Sequence, residues 1–264
     1  MAISSASRVR DDLVRLSAGG LDVASFFDES GAILRRAIAF DGFCSMTVDP
    51  ATMLLTSHVA HDSVRPEDVP RLAHNEFLQE DVNKFVQLAR APRPAGVLTD
   101  ATRQRPNRSA RYRGILRPNG FRDELRVTLL DGDDCWGWVA LYRREESGDF
   151  QEKDATLAAW LSPVLAEGLR RAILLAAVPN EDEPDAPGLV LLGPGGRIEA
   201  MTPPAKQWLN TLIATAPPEG GLPAILHAVA YRALLAARGG PATGARARVP
   251  TSAGVWLVSR GEQS

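Results

Sequence analysis

The sequence predicts an α+β fold with a largely antiparallel sheet, and three observations carry that prediction. Strand-like segments come in pairs joined by short turns, around Asp49-Pro50 and around 131–134. Helix-like segments gather before the first pair, between the pairs and after the second. An acidic, proline-punctuated stretch, 179–187, interrupts the apolar patterning and divides the chain into units 1–178 and 188–264. With 264 residues, 45% hydrophobic and 23% charged, there is enough chain for one large domain or two ordinary ones, and a real core is feasible.

Each element follows from local pattern. Residues 3–17 place Val9, Leu13 and Leu16 at helical spacing, and Gly19-Gly20 stops the helix. Residues 21–39 repeat the pattern with Val23, Phe27, Leu34 and Ile38. Two strands follow around Asp49-Pro50, where proline sets φ and Asp49 can accept a local hydrogen bond. Residues 66–90 read as polar helix interrupted by Pro70, with Leu72, Phe77, Leu78, Phe85 and Leu88 as its apolar positions. The stretch 91–108 is loop with a short strand near Val97-Leu98, and a helix over 109–116 ends at Pro118-Asn119-Gly120. After the second hairpin, Asp149 is expected as N-cap with Glu152 three residues on, opening a helix to about residue 177. Leu157, Trp160, Leu161, Val164, Leu165 and Ile173 form its stripe, and Pro163 is expected to kink it. Beyond the linker come strands around Gly193–Gly196, helices at about 204–214 and 223–238, and two strands around Ser252-Ala253-Gly254.

In the second hairpin, alternation puts Phe121, Leu125, Val127 and Leu129 on one face, with Glu124, Arg126, Thr128 and Leu130 on the other. Across the turn, Cys135, Val139 and Leu141 oppose Trp136, Trp138 and Tyr142. One face suits helix packing. The other carries indoles, a phenol and a guanidinium, the mixture that lines a small-molecule cavity. The same face can instead pack under the 66–90 helices with no cavity. The candidate ligand-lining residues are Cys44, Met46, Phe85, Arg126, Trp136 and Trp138.

Other chemistries find less support. His58, His61 and Asp62, joined by His74 or Glu67, would suit zinc if they converged, which is the basis for a metal-dependent enzyme as a lesser alternative. Two histidines three apart share a face on a helix rather than on a strand. Asp131, Asp133 and Asp134 fit a solvated turn, with no distal glutamate at calcium-loop spacing. No nucleophile-elbow, zincin or phosphate-loop pattern occurs. Arginines 103, 105, 108, 111, 113, 117, 122 and 126 cluster without a DNA-reading module, and the net charge of −2 gives no general pull toward nucleic acid. Cys44 and Cys135 read as buried thiols. With no apolar run near the roughly 20 residues of a bilayer span, and no signal-peptide pattern, the expectation is a cytoplasmic protein without membrane partners.

The ordered set Phe43–Pro50, Asp81-Val-Asn-Lys-Phe85, Ser109-Ala-Arg-Tyr-Arg-Gly-Ile-Leu116, Pro118-Asn-Gly120, Asp123-Glu-Leu-Arg126, Cys135-Trp-Gly137 and Asp149-Phe150 resembles the sensor region of actinobacterial GAF-domain transcriptional regulators of the LuxR type. Residues 187–192, 195–200, 204–209, 246–249 and 255–258 resemble parts of a PAS-type domain that lacks its last strand. The resemblance implies a GAF-like antiparallel sheet flanked by helices, then a smaller, incomplete PAS-like domain. It implies a non-catalytic sensory module that binds a small ligand or a partner and signals through its terminal helices, with no particular cofactor indicated. A homodimer through those helices, with Val9, Leu13, Leu161 and Leu165 as contacts, is the expected assembly. A ligand-free dimerisation or interaction module is the alternative. DNA would be met only through a helix-turn-helix, and no residues of this chain match its recognition helix.

Overall fold

The computed structural model describes residues 5–176, 188–192, 198–212, 223–237, 245–250 and 256–260. Helices α1 (Ser5–Ser17) and α2 (Val23–Arg35) open the chain. Asp22 caps α2 by accepting the Ser25 N–H at 2.9 Å. Strands β1 (Gly42–Asp49) and β2 (Leu54–His61) form the first hairpin, and Asp49 accepts the Ala51 N–H at 3.1 Å in its turn. Pro70 does not interrupt a helix. It lies in the first turn of α3 (Val69–Leu78), where the missing N–H costs nothing. Then come α4 (Phe85–Leu88), β3 (Ala95–Val97) and α5 (Leu98–Ala101). The expected 109–116 helix is a π-helical turn at Tyr112–Leu116, closed by a 3₁₀ turn and by Gly120 at φ +79°.

Strands β4 (Phe121–Asp131) and β5 (Asp134–Arg144) are the long central hairpin, and α6 (Glu152–Ala176) follows, continuous through Pro163. The carboxylate that closes its first turn stands two residues later than expected. Asp154, at the third helical position, accepts the Gln151 N–H at 2.9 Å, whereas Asp149 holds Arg122. The five strands run in the order β2-β1-β5-β4-β3, every neighbouring pair antiparallel. This is a GAF-like α+β sheet flanked by helices.

Two bulges correct the expected faces. Phe121 pairs with Arg144 and Asp123 with Arg143, so Arg122 is the extra residue. Phe121 thereby turns away from Leu125 and stacks on Tyr142, ring centroids 4.7 Å apart. Leu129 pairs with Gly137 but Leu130 with Cys135, so Trp136 is the extra residue there. Cys135 joins the Trp138 face, and Trp136 packs on the opposite, helix-covered side. Gly137 admits the close approach at this bulge, because a Cβ would stand 2.6 Å from the Met46 carbonyl oxygen and 2.5 Å from Leu169.

Helices α1, α2 and α6 cover the first face. Val9 and Leu13 from α1, and Leu161 and Leu165 from α6, are buried in this one chain, in a core with Phe26, Phe27, Leu125, Val139 and Leu141. The two helices therefore pair with each other, and the four residues expected at a dimer contact are already used. Among the described residues, Val14, Trp160 and Leu174 are the large apolar side chains of these helices left exposed.

Beyond residue 187, β6 (Val190–Leu192) pairs with β7 (Ile198–Met201), followed by α7 (Pro203–Thr211), α8 (Ala224–Ala237) and the pair β8 (Arg246–Pro250) and β9 (Trp256–Arg260). The linker at 179–187 and the turns at 193–196 and 252–254 lie outside the described residues. Helix α8 packs on α3 and β2, and β8 lies against β2.

Candidate functional site

The second face of the sheet is built differently. Glu124, Arg126 and Thr128 of β4, and Trp138, Ala140 and Tyr142 of β5, are all buried there, with Cys44 and Met46 of β1 half-buried beside them. Above them lie α3, α4 and the π-helical turn.

The layer and the sheet are joined by charges. The Arg126 guanidinium donates to Glu124 Oε1 at 3.0 Å, to Glu76 Oε2 at 2.8 Å and to the Asn83 carbonyl at 3.3 Å. Arg111, wholly buried, donates to Glu124 Oε2 at 2.9 Å and to the Val82 carbonyl at 3.3 Å. Its backbone N–H donates to Asp81 Oδ2 at 2.7 Å, and Asn75 Nδ2 reaches the same oxygen at 2.9 Å. Glu76 uses its other oxygen to accept the Phe85 N–H at 2.8 Å. Glu124 thus stands between two guanidinium groups, and each guanidinium binds the covering layer. Buried charges persist only when paired and hydrogen-bonded in this way.

Burial alone would push the Glu124 carboxyl up. The charges of Arg111 and Arg126 outweigh it, and the net direction is down. Asp81 follows the same logic: burial raises it, the Arg111 N–H and guanidinium lower it further, and it ends below its ordinary value. At the end of β4, Asp123 accepts four hydrogen bonds, from Thr99 N–H and Oγ1, Glu124 N–H and Phe150 N–H, while burial pushes its carboxyl up to about 6.

An aromatic stack continues the clamp. The Arg126 guanidinium lies 4.3 Å over the Phe85 ring, and Phe85 stacks on Trp138 at 4.7 Å with the planes 4° apart. The Trp138 indole N–H has no oxygen acceptor; beside it is the Cys135 thiol, a weak one that burial pushes up to about 12.

Of the six expected lining residues, Phe85 is in contact with both Arg126 and Trp138. Cys44 and Met46 flank them on β1, and Trp136 is on the other face. Arg111, Glu124, Glu76, Asp81 and Asn75 were not among the expected lining residues, yet the sequence held a signal for most of them. Asp81–Phe85, Ser109–Leu116 and Asp123–Arg126, three of the segments that carry the family resemblance, are the segments that meet here. His58 and His61 do not converge. His58 stands opposite Met46 in the strand register, whereas His61 stands opposite Phe43, stacks on its ring and pairs with Asp28 at 2.7 Å. No group of three metal-ligating side chains occurs among the described residues, and no helix among them is long and apolar enough to cross a membrane.

No protein-family model matches the chain, and no curated protein matches it. Solved structures similar to it include the GAF domain of the cyanobacteriochrome TePixJ (19% identity over 60% of this chain and 94% of that one, TM-score 0.43). The VqsR LBD domain from Pseudomonas aeruginosa is similar at 14% identity, over 63% of this chain and 94% of that one, TM-score 0.43. So is the GAF domain of a phosphoenolpyruvate-protein phosphotransferase from Coxiella burnetii, at 13% identity, over 64% and 94%, TM-score 0.43.

Proposed function

We propose that the chain is a non-catalytic sensory module of a LuxR-type transcriptional regulator, in which 188–264 is a PAS-like companion domain. The aromatic face binds a small ligand or a partner, and the bias passes to α1 and α6 on the far side of the sheet. The observation that carries this reading is the Arg126 clamp. A guanidinium stacked on an aromatic ring, and held by a carboxylate from a separate layer, can exchange Glu76 for an acceptor on an incoming ligand. The Trp138 N–H, with only the Cys135 thiol beside it as a weak acceptor, gives the same face a second donor. A ligand able to compete would be planar and would carry a carboxylate, phosphate or carbonyl.

A second reading, a ligand-free dimerisation or interaction module, is favoured by how completely the clamp satisfies itself. The exposed Val14, Trp160 and Leu174 would then supply the contact between copies. Thermal-shift and calorimetric titration with cyclic nucleotides, flavins, haem and aromatic acids separates the two. The sensory reading expects at least one class to raise the melting temperature with saturable heat. A dimer by light scattering with no response to any class supports the second reading and contradicts the first.

A further inference from the structure

Helix α8, AILHAVAYRALLAA, is apolar on nearly every side. Such a helix is buried between layers rather than laid on one. Its main neighbours are α3 and β2 of the first unit, and it touches the strands of its own unit far less. Ile225, Ala228 and Val229, at i, i+3 and i+4, are buried in the apolar cluster that holds Leu54, Leu55 and Phe77. Beside them the Tyr231 ring meets His74 edge-on at 5.6 Å, and Arg232 Nη2 donates to the Thr52 carbonyl at 3.3 Å.

Helix α3 is therefore gripped from two sides. His74 meets α8. Asn75 and Glu76, turned about 100° and 200° further round the helix, reach the Arg111 and Arg126 clamp. With 10 residues, α3 is too short to persist without tertiary support, so both grips fix where Glu76 stands.

The geometry points to α8 as an intrachain latch: docked on α3, it holds Glu76 on Arg126, and its release loosens that ion pair and uncovers the aromatic face. The latch rests on the clamp alone and stands whether or not the face takes a small molecule. Hydrogen exchange on the full chain reads it through the Phe85 amide, whose acceptor is Glu76. Val229→Asp puts a charge into the contact. Tyr231→Leu keeps α8 apolar and removes the ring contact with His74. In Val229→Asp, the α3 and Phe85 amides are expected to exchange on the order of tenfold faster, toward the lower end of the usual range for coupled sites, with α6 amides unchanged. Tyr231→Leu should give the same pattern at smaller amplitude, and it decides the matter where Val229→Asp unfolds the chain. Wild-type rates for α3 and Phe85 in both variants would overturn the latch. So would equal acceleration of α6 and α3 in both, since α8 would then be ordinary core.

Discussion

On one face of the sheet, Leu125, Val127, Leu129, Val139 and Leu141 meet the buried sides of α1, α2 and α6, and nearly every contact is carbon on carbon. On the other, Glu124, Arg126, Trp138 and Tyr142 meet Glu76, Phe85 and Arg111 through ion pairs and stacked rings. The first kind of burial is non-directional, and it accumulates at about 25 cal/mol per Å² of apolar surface. The second is all or none, because each charge was costly to bury and is held by named partners. The apolar face can thus lose an atom group in proportion to its size. The ionic face loses its geometry when one member goes.

That contrast is sharpest at Glu124. Glu124→Ala leaves two buried guanidinium groups short of a partner, and about 3–5 kcal/mol of stability should be lost in urea unfolding. A loss below that of an ordinary surface substitution would remove the clamp from the account. Leu161→Ala, the matched test on the apolar face, should cost about 2–4 kcal/mol through lost transfer energy and a residual cavity, and should leave the exchange of the Phe85 amide unchanged.

Acid should separate the faces further. Glu124 and Asp81 have folded pKa values below their ordinary 4.5 and 3.8, so they add stability that is complete above those values and lost as pH falls through the folded ones. The covering layer should therefore loosen as pH falls below those ordinary values while the helices of the other face persist, as followed by tryptophan fluorescence, compared with that of Trp138→Phe, against helical circular dichroism. Glu124→Gln should flatten that acid transition. Gly168→Ala should cost about 1–3 kcal/mol, since a Cβ there would stand 2.4 Å from the Phe26 ring. The smallest effect belongs to the exposed pair of Arg171 with Glu167, where Arg171→Ala should change stability by less than about 0.5 kcal/mol.

The apolar face was legible in the sequence, because Val9, Leu13, Leu161 and Leu165 repeat at helical spacing. Their pairing within one chain rather than between two was not, since periodicity marks a buried stripe without naming what buries it. Strict alternation placed Leu125, Val127, Val139, Arg126 and Trp138 rightly. It failed at Phe121, Cys135 and Trp136, because a bulge shifts the register by one residue and leaves no periodic trace. The clamp was half legible: Arg126 and Phe85 stood out, but pairing them with Glu76, and Arg111 with Glu124, depends on contacts between segments 13 to 50 residues apart. The arginine cluster shows the same limit. As a string it reads as a charged surface, whereas in the fold Arg111 and Arg126 are buried and Arg122 holds Asp149.

The claim that the aromatic face is held shut by charge pairing between sheet and covering layer is tested most directly by a double-mutant cycle. Arg126→Met, Glu76→Gln and the double variant, unfolded in urea as the full chain, give the coupling between the two side chains. The clamp predicts a favourable coupling of about 2–3 kcal/mol, at the upper end for contacting residues. A coupling indistinguishable from zero would mean that Arg126 and Glu76 are merely neighbours, and would contradict it.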